Sequence, residues 1–340
     1  MALFTDIETE LKLYAPAASL GLNMLSIAPS RDYIERNYIK KELGKEQYDA
    51  LAAAYDDSIA SPSPTAMSAS EQALWQAVMA ALGPLTLWHY AAANAAEIND
   101  KGQAERNAED AAPARLWVSN LQRDTLYEQG MKELDNLLAF LDENKDDYPD
   151  WVSGTGYAGL KSNLVQTTEN FDDYVNIGGS RKLFKMLRPN IKKVEYITIR
   201  KALGEDFYNR LIEGLQNDDL TAGETTVLNK LIPAVAHLAI ADTTLPVQLG
   251  QDSVFFLSSN TGNDTKNQTA PDDAVWANMK LQHAATGEQD LNEALDYLNK
   301  NATALVYPEY FNSDQYEDPS GADYGNINHE NGDRQTLFSL

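Results

Sequence analysis

KKELGKEQYDAL, at Lys40–Leu51, returns 160 residues later as RKALGEDFYNRL, at Arg200–Leu211. Both stretches place two basic residues before a Leu-Gly pair, and a Tyr and a Leu after it. Glycine tolerates the left-handed turn that ends one helix and lets another begin. We therefore predict a helix–glycine–helix corner at Gly44 and again at Gly204, with the leucine before each glycine, Leu43 or Leu203, in the core.

The match continues on both sides of this phrase. Ser68-x-x-Glu71 and Thr221-x-x-Glu224 are capping-box patterns, which are typical of the start of a helix. The further matching pairs are Asn23–Ser30 with Lys185–Asn190, Ser68–Leu85 with Thr221–Leu238, and Gly130–Asn144 with Gly287–Asn301. Order and spacing persist along most of the chain, so we infer a tandem duplication.

Apolar residues recur at helical spacing in both copies, which predicts a mainly α fold of two tandem helical bundles. The predicted organisation is a first helical domain at 1–150, a Gly-rich linker at 151–163, a second helical domain at 164–310 and an extended acidic tail at 311–340.

One segment of the second copy has the pattern of strands. LPVQLGQDSVFFL, at Leu245–Leu257, alternates around Gly250 and predicts a β-hairpin or arm. The corresponding stretch of the first copy, Ala95–Arg106, is too polar for us to expect the same structure. We therefore predict that the copies differ in this loop.

The composition excludes several classes of function. The chain has 51 acidic and 27 basic residues and a net charge of −24, which disfavours wrapping nucleic acid or docking on an anionic membrane. It has no Cys and no apolar run of membrane-spanning length. The N-terminus lacks a secretory signal pattern, so we expect a cytoplasmic type of chain.

Motifs that carry chemistry are weak. GTGYAG at Gly154–Gly159 has dinucleotide-loop spacing but no preceding strand. Asp142–Ser153 resembles a calcium loop but lacks its central Gly and final Glu. The four His fit no metal-hydrolase frame, and His89 and His237 are expected at the edge of the core. We predict no catalytic, cofactor-binding or metal-binding residue and no enzyme activity.

A basic strip stands out from the acidic background, with eight basic residues and one acid between Arg181 and Lys201. It is either a solvated helix face or a docking strip for an acidic surface, such as the tail or the Asp142–Asp150 cluster of a neighbouring subunit. Contact with a DNA backbone is a weaker third reading. The inter-subunit candidates in the strip are Arg181, Lys182, Lys185, Arg188, Lys192 and Lys193.

The arm and the tail supply the other inter-subunit candidates, by strand addition or by folding on binding. The tail carries seven acidic residues, one Arg and three Tyr after Pro308, and it ends in an apolar tetrapeptide. The candidates are Val247, Leu249, Val254, Phe255, Phe256, Tyr316, Tyr324, Leu337, Phe338 and Leu340.

The pattern Ile39-x-x-x-Leu43-Gly44-x-x-x-Tyr48-x-x-Leu51, followed by the capped helix from Ser68 and the leucines after Gly130, resembles an uncharacterised virion-protein family. That family occurs in tailed phages of Bacteroides-type bacteria, including crAss-like phages. Its layout is similar to that of helical head–tail connector, or adaptor, proteins. Residues 199–211 carry the same pattern.

The resemblance implies a neck subunit that forms a ring, which we expect to be twelve-fold. The ring would join the portal protein to the other neck and tail rings and surround passing double-stranded DNA without reading its sequence. The protein would be made in the bacterial cytoplasm and end in the virion, with no membrane partner and no cofactor. The alternatives are a soluble phage assembly chaperone or accessory adaptor and, less favoured, an enzyme with an unrecognised carboxylate site.

Overall fold

A computed structural model of the protein describes residues 2–18, 22–60, 63–94, 96–99, 102–105, 116–244, 247–249, 255–257 and 273–319. These residues form two helical repeats, each with its own cluster of buried apolar side chains. The mainly α fold and its tandem arrangement are as predicted.

The two repeats have the same order of main elements. The first contains α1 (Lys12–Tyr14), α2 (Met24–Ile34), α3 (Lys40–Leu43), α4 (Lys45–Ser58), α5 (Ala69–Ala93), β1 (Ala96–Asn99), β2 (Gly102–Glu105), α6 (Leu116–Glu143), α7 (Pro149–Val152) and α8 (Thr155–Leu160). The second contains α9 (Thr168–Asp172), α10 (Arg181–Val194), α11 (Arg200–Leu203), α12 (Glu205–Asn217), α13 (Ala222–Asp242), β3 (Val247–Leu249), β4 (Phe255–Leu257), α14 (Asp273–Asn301) and α15 (Pro308–Phe311). The intervening turns are π-helical at Ile7–Leu11, Glu35–Ile39 and Glu195–Ile199, and 3-10 helical at Lys145–Asp147.

The repeated phrase forms the predicted corner in both repeats. Gly44 joins α3 to α4 with φ of 79°, and Gly204 joins α11 to α12 with φ of 81°. Backbone with such a positive φ is costly for any residue that has a Cβ. Leu43 and Leu203 are both fully buried, so each corner is fixed by a core leucine and an obligatory glycine.

A buried carboxylate holds each corner to the start of its repeat. Glu35 accepts hydrogen bonds from the Leu3 amide at 2.8 Å and from the Tyr48 hydroxyl at 2.9 Å. In the second repeat, Glu195 accepts from the Leu164 amide at 2.9 Å and from the Tyr208 hydroxyl at 3.3 Å. The tyrosine of the repeated phrase therefore serves as a donor to a buried acid.

Burial of Glu195 has an electrostatic consequence. Its side chain lies in the core, where the loss of hydration disfavours the charged form and raises its pKa to about 7. Further hydrogen bonds from the Asn163 side chain at 3.0 Å and the Val165 amide at 3.3 Å oppose this shift. Burial also raises the pKa of Glu35, so the two repeats share this feature.

Two long helices form the centre of each bundle, α5 with α6 and α13 with α14. Ser68 and Thr221 cap α5 and α13 through complete capping boxes. Gly130 of α6 lies against Leu85 of α5 so closely that an added Cβ would come within 2.5 Å of the Leu85 Cγ. Gly130 thus lets the axes of α5 and α6 approach each other, and Gly287 does the same for α13 and α14.

The hairpin expectation was correct for the second repeat and wrong for the first. β3 pairs antiparallel with β4, with Val247 opposite Leu257. The first repeat also has a hairpin, in which β1 pairs antiparallel with β2 and Asn99 lies opposite Gly102. Strand pairing uses backbone hydrogen bonds, so a polar ribbon can form where side-chain patterning does not signal one.

The predicted Gly-rich linker is also corrected. Residues 149–160 form α7 and α8, and Trp151 and Tyr157 belong to the core of the first repeat with 0% and 4% exposure. The Trp151 indole donates to the Glu42 carbonyl at 3.2 Å. In the second repeat α15 begins at the Pro of the equivalent Tyr-Pro pair, and it buries Tyr310 fully. Gly154 and Gly156 of this segment serve close packing and not flexibility.

Among the residues that the structure describes, no helix is both long enough and apolar enough to cross a membrane.

The glycine contacts predict a matched pair of destabilised variants. Gly130→Ala and Gly287→Ala should each lower stability by about 1–3 kcal/mol, because overpacking forces the helices apart. In the second repeat the added Cβ would lie 2.7 Å from the Leu238 Cγ and 3.1 Å from the Ala234 carbonyl oxygen.

Denaturant unfolding monitored by circular dichroism measures this effect. Gly159→Ala is the control, because no heavy atom lies within 4 Å of its added Cβ, and alanine is favoured over glycine in a helix. Equal unfolding midpoints for all three variants would contradict the close helix approach.

Candidate functional site

The basic strip of α10 lies against the first repeat of the same chain. Arg181 is 6% exposed and its guanidinium contacts the carboxylate of Glu42 at 3.1 Å and that of Asp135. The Lys185 ammonium contacts the other oxygen of the Glu42 carboxylate. Glu42 stands two residues before the corner glycine on α3, and Asp135 stands on α6. The strip therefore docks on an acidic surface, but that surface is intramolecular.

The Glu42 carboxylate is the centre of this contact, since it is only 13% exposed and receives two cations. Burial by itself would raise the pKa of Glu42, but the charges of Arg181 and Lys185 outweigh it and hold that pKa below its usual value. A desolvated charge of this kind is tolerated only with well-placed partners. Each partner therefore depends on the others.

A second set of contacts flanks this centre. The Asp218 carboxylate, at the end of α12, accepts from the Tyr157 hydroxyl at 3.1 Å and from the Lys145 ammonium. The Arg188 guanidinium donates to the Gly159 carbonyl oxygen at 2.8 Å. Around the Glu42 centre, polar contacts therefore join α10 of the second repeat to α6 and α8 of the first. A further contact joins the turn before α7 to the end of α12.

The other members of the strip do not join this contact. Lys182 is exposed, with its ammonium 5.3 Å from the centre of the Tyr127 ring of the first repeat. Lys193 pairs with Asp242 within the second repeat at 2.5 Å, and Lys192 is exposed. The interpretation of the strip as an inter-subunit dock is therefore corrected for Arg181, Lys185 and Arg188, whose charges are used inside the chain.

The β3–β4 hairpin of the second repeat is anchored at Phe255. This side chain is 4% exposed and belongs to the core cluster, and its amide donates to the Asn176 carbonyl at 2.8 Å. Phe255 is thus a core residue and not an available contact, which corrects its place among the candidates. The other candidates of the arm are Val247 and Leu249 of β3, Phe256 of β4, and Val254, which lies outside the described residues.

Half-buried histidines lie at this end of both repeats, as expected for His89 and His237. The Nδ1 atoms of His237 and His283 are 2.8 Å apart, and the Phe255 ring lies beside His283. Burial and the neighbouring His237 lower the pKa of His283 to about 4. In the first repeat His89 contacts the Ser30 hydroxyl at 3.0 Å.

The start of the acidic tail packs on the second repeat. The Tyr316 ring lies 4.7 Å from that of Phe311, and the Tyr310 hydroxyl donates to the Gln315 carbonyl at 3.3 Å. This placement corrects Tyr316 as a candidate for contact with another subunit. The remaining candidates of the tail lie outside the described residues: Tyr324, Leu337, Phe338 and Leu340.

The weak chemical motifs have structural explanations. Gly156 of GTGYAG lies at the start of α8, where an added Cβ would come within 2.2 Å of the Glu42 carbonyl oxygen. Asp142 of the calcium-like loop is 3.1 Å from the Lys161 ammonium. Within the described residues, no three side chains converge as a metal site requires. A cleft of about 200 Å³ beside Ser70 and Tyr148 is smaller than a typical small-molecule site.

Sequence reasoning missed the acids that receive the strip, Glu42 and Asp135, and also Asp218 of the flanking contact, because charge alone does not identify a partner. It also missed the pair Glu35 and Glu195. Here a signal existed, since each acid stands nine residues before its corner glycine.

The Glu42 contact predicts how the repeats separate. Glu42→Gln should weaken the contact by about 2–4 kcal/mol, because it leaves the buried Arg181 of the second repeat with less compensation for its charge. Urea unfolding followed by two probes, one in each repeat, should then change from one shared transition toward two.

Asp49→Asn is the matched control, because Asp49 pairs with Lys40 and Lys45 at the exposed surface and should cost less than about 1 kcal/mol. If Glu42→Gln unfolded at the same midpoint as the wild-type protein, the contact would not hold the repeats together.

Comparison with known proteins identifies a family whose function is unknown. The model of a family of unknown function, DUF6712, matches residues 39–159 and again residues 199–320. No curated protein and no solved structure matches the chain. Both matches extend past the Tyr-Pro pairs, in agreement with the packed segments that follow them. Because the two matches together span more than half of the sequence, the chain belongs to the DUF6712 family and carries its domain twice.

Proposed function

We propose that this chain is a structural subunit of a tailed-phage particle, a head–tail connector protein that forms a ring between the portal and the tail. The observation that carries the proposal is the head-to-tail contact between the repeats, in which α10 of the second repeat docks on the Glu42 surface of the first. A chain built by such a contact has two different ends.

Two different ends allow many copies to assemble head to tail. Contacts between unlike faces generate a ring when the rotation closes and a filament when it does not. The Glu42 contact fixes the angle between the repeats, because desolvated ion pairs tolerate little change in geometry. A subunit with a fixed internal angle suits a ring of defined size, which we expect to be twelve-fold.

The charge of the chain suits a channel for DNA. A net charge of −24 repels phosphate, so DNA inside such a ring would pass without tight binding. The basic strip does not oppose this, because Glu42, Asp135 and the Gly159 carbonyl already engage its Arg181, Lys185 and Arg188 side chains.

The resemblance of the corner pattern to the phage virion family supplies the biological setting. The partners would be the portal protein, other neck and tail rings, and passing double-stranded DNA. The protein would be made in the host cytoplasm and retained in the virion neck.

The composition of purified phage particles tests this role. Quantitative mass spectrometry of DNA-filled particles should find this chain in the same copy number as the portal protein. Stacked rings of the same symmetry contain equal numbers of subunits. Electron microscopy with a label fused to the chain should place it at the head–tail junction. A chain present in immature heads and absent from DNA-filled particles would instead indicate an assembly chaperone.

A further inference from the structure

The two ends of the chain can be compared position by position with the contact between the repeats. Pro29 and Pro189 lie at the same place in α2 and α10, and Gly44 and Gly204 at the same corner. These pairs fix an offset of 160 residues, since 189 − 29 and 204 − 44 agree. Each residue of the internal contact therefore has a counterpart in the other repeat. We call the two surfaces that carry these counterparts the free ends, or free faces, of the chain. That of the first repeat includes α2, and that of the second repeat includes α11.

The centre of the internal contact has an apolar counterpart. Lys185 corresponds to Leu25, which is 85% exposed on α2. Glu42, which receives Lys185, corresponds to Ala202 of α11. The pair Lys185–Glu42 is thus replaced by Leu25 and Ala202, so both charges are lost together.

The flanking contact changes in the same way. Asp218, at the end of α12, corresponds to Ser58, which is followed by the exposed Ile59. The loop that carries Lys145 corresponds to residues 302–306, where Leu305 is 93% exposed and Val306 is 46% exposed. An ionic contact inside the chain is again matched by apolar groups at both free ends.

A third ion pair of the internal contact, between Arg181 and Asp135, also loses both of its charges at the free ends. Asp135, which receives Arg181, corresponds to Asn292, since the Gly130 and Gly287 helices align at an offset of 157. Arg181 corresponds to Gly21. Surfaces that diverged independently would keep unmatched charges, whereas surfaces that still meet each other must lose both members of a pair, because a lone desolvated charge is costly.

We propose that the free face of the first repeat binds the free face of the second repeat of another copy of this chain, with the geometry of the internal contact. Leu25 would pack on the Ala202 surface, and Leu305 would pack beside Ile59 of the neighbour. A leucine with this exposure gains from burial in such a contact, and apolar groups at both ends match each other. The inference deepens the self-assembly part of the proposed function but does not need a virion.

Self-association of the purified full-length chain tests the contact. Sedimentation analysis should show concentration-dependent association of the wild-type protein. Leu25→Glu and Leu305→Glu should each weaken it by at least about tenfold, because each would bury an unpaired carboxylate. Leu121→Glu is the control, since Leu121 is 61% exposed near the start of α6, far along that helix from Asp135. Circular dichroism confirms that each variant folds.

A charge swap makes the test specific for this pairing. Leu25→Lys alone should weaken association, and adding Ala202→Glu should restore it and make it sensitive to salt, because the pair then copies Lys185 and Glu42. Failure of the second substitution to restore association would overturn the proposed register.

Other outcomes would also overturn the proposal. They are a wild-type chain that stays monomeric at all concentrations, or Leu25→Glu and Leu305→Glu variants that associate as the wild type does. If Leu25→Glu left self-association intact but abolished binding to the portal protein, the face would serve that partner instead. Failure here is distinguishable from failure of the virion role, which rests on the composition of the particle.

Discussion

The buried carboxylate of Glu42, held between Arg181 and Lys185, makes one body of two duplicated bundles. Glu42 stands on the short helix α3 before the corner glycine, and its own backbone carbonyl accepts from the Trp151 indole. The corner, α7 and α10 of the second repeat therefore meet at Glu42. Because Glu42 and Arg181 are largely desolvated, this contact tolerates little change in angle.

Duplication followed by divergence explains the division of roles. Both repeats keep the features that fold a bundle: the corner glycine, the buried acid with its tyrosine, the capping box and the glycine that lets the long helices approach. They differ in the surface charges at the corner and on the helix before it. The core was thus retained in both copies, while the faces became different, which is the condition for a subunit with two unlike ends.

The sequence predicted the parts of the fold that depend on local chemistry. A positive φ requires glycine, so Gly44 and Gly204 marked the corners, and hydroxyl-to-acid spacing marked the capped helices. The linker was misjudged because Gly154 and Gly156 indicate flexibility by composition, whereas Trp151 and Tyr157 bind that segment to the core. The first hairpin was missed because backbone pairing leaves no apolar alternation in a polar ribbon.

The site was harder to predict than the fold. The sequence showed that Arg181, Lys185 and Arg188 form a basic strip, and it left open whether the strip is a solvated helix face or a dock on acids, because the partner depends on how distant segments pack. Glu42 is one acid among 51 acidic residues, and only the structure brings it to the strip. The exposed Leu25 and Leu305 indicate an assembly surface only when they are compared with the equivalent positions of the internal contact.

A cryo-electron microscopy structure of the assembled chain tests the central claim most directly. The account predicts that one rotation relates the first repeat to the second within a chain, and the second to the first repeat of the next chain, with Leu25 buried against Ala202. Neighbouring chains that meet through other faces and leave Leu25 and Leu305 in solvent would contradict it.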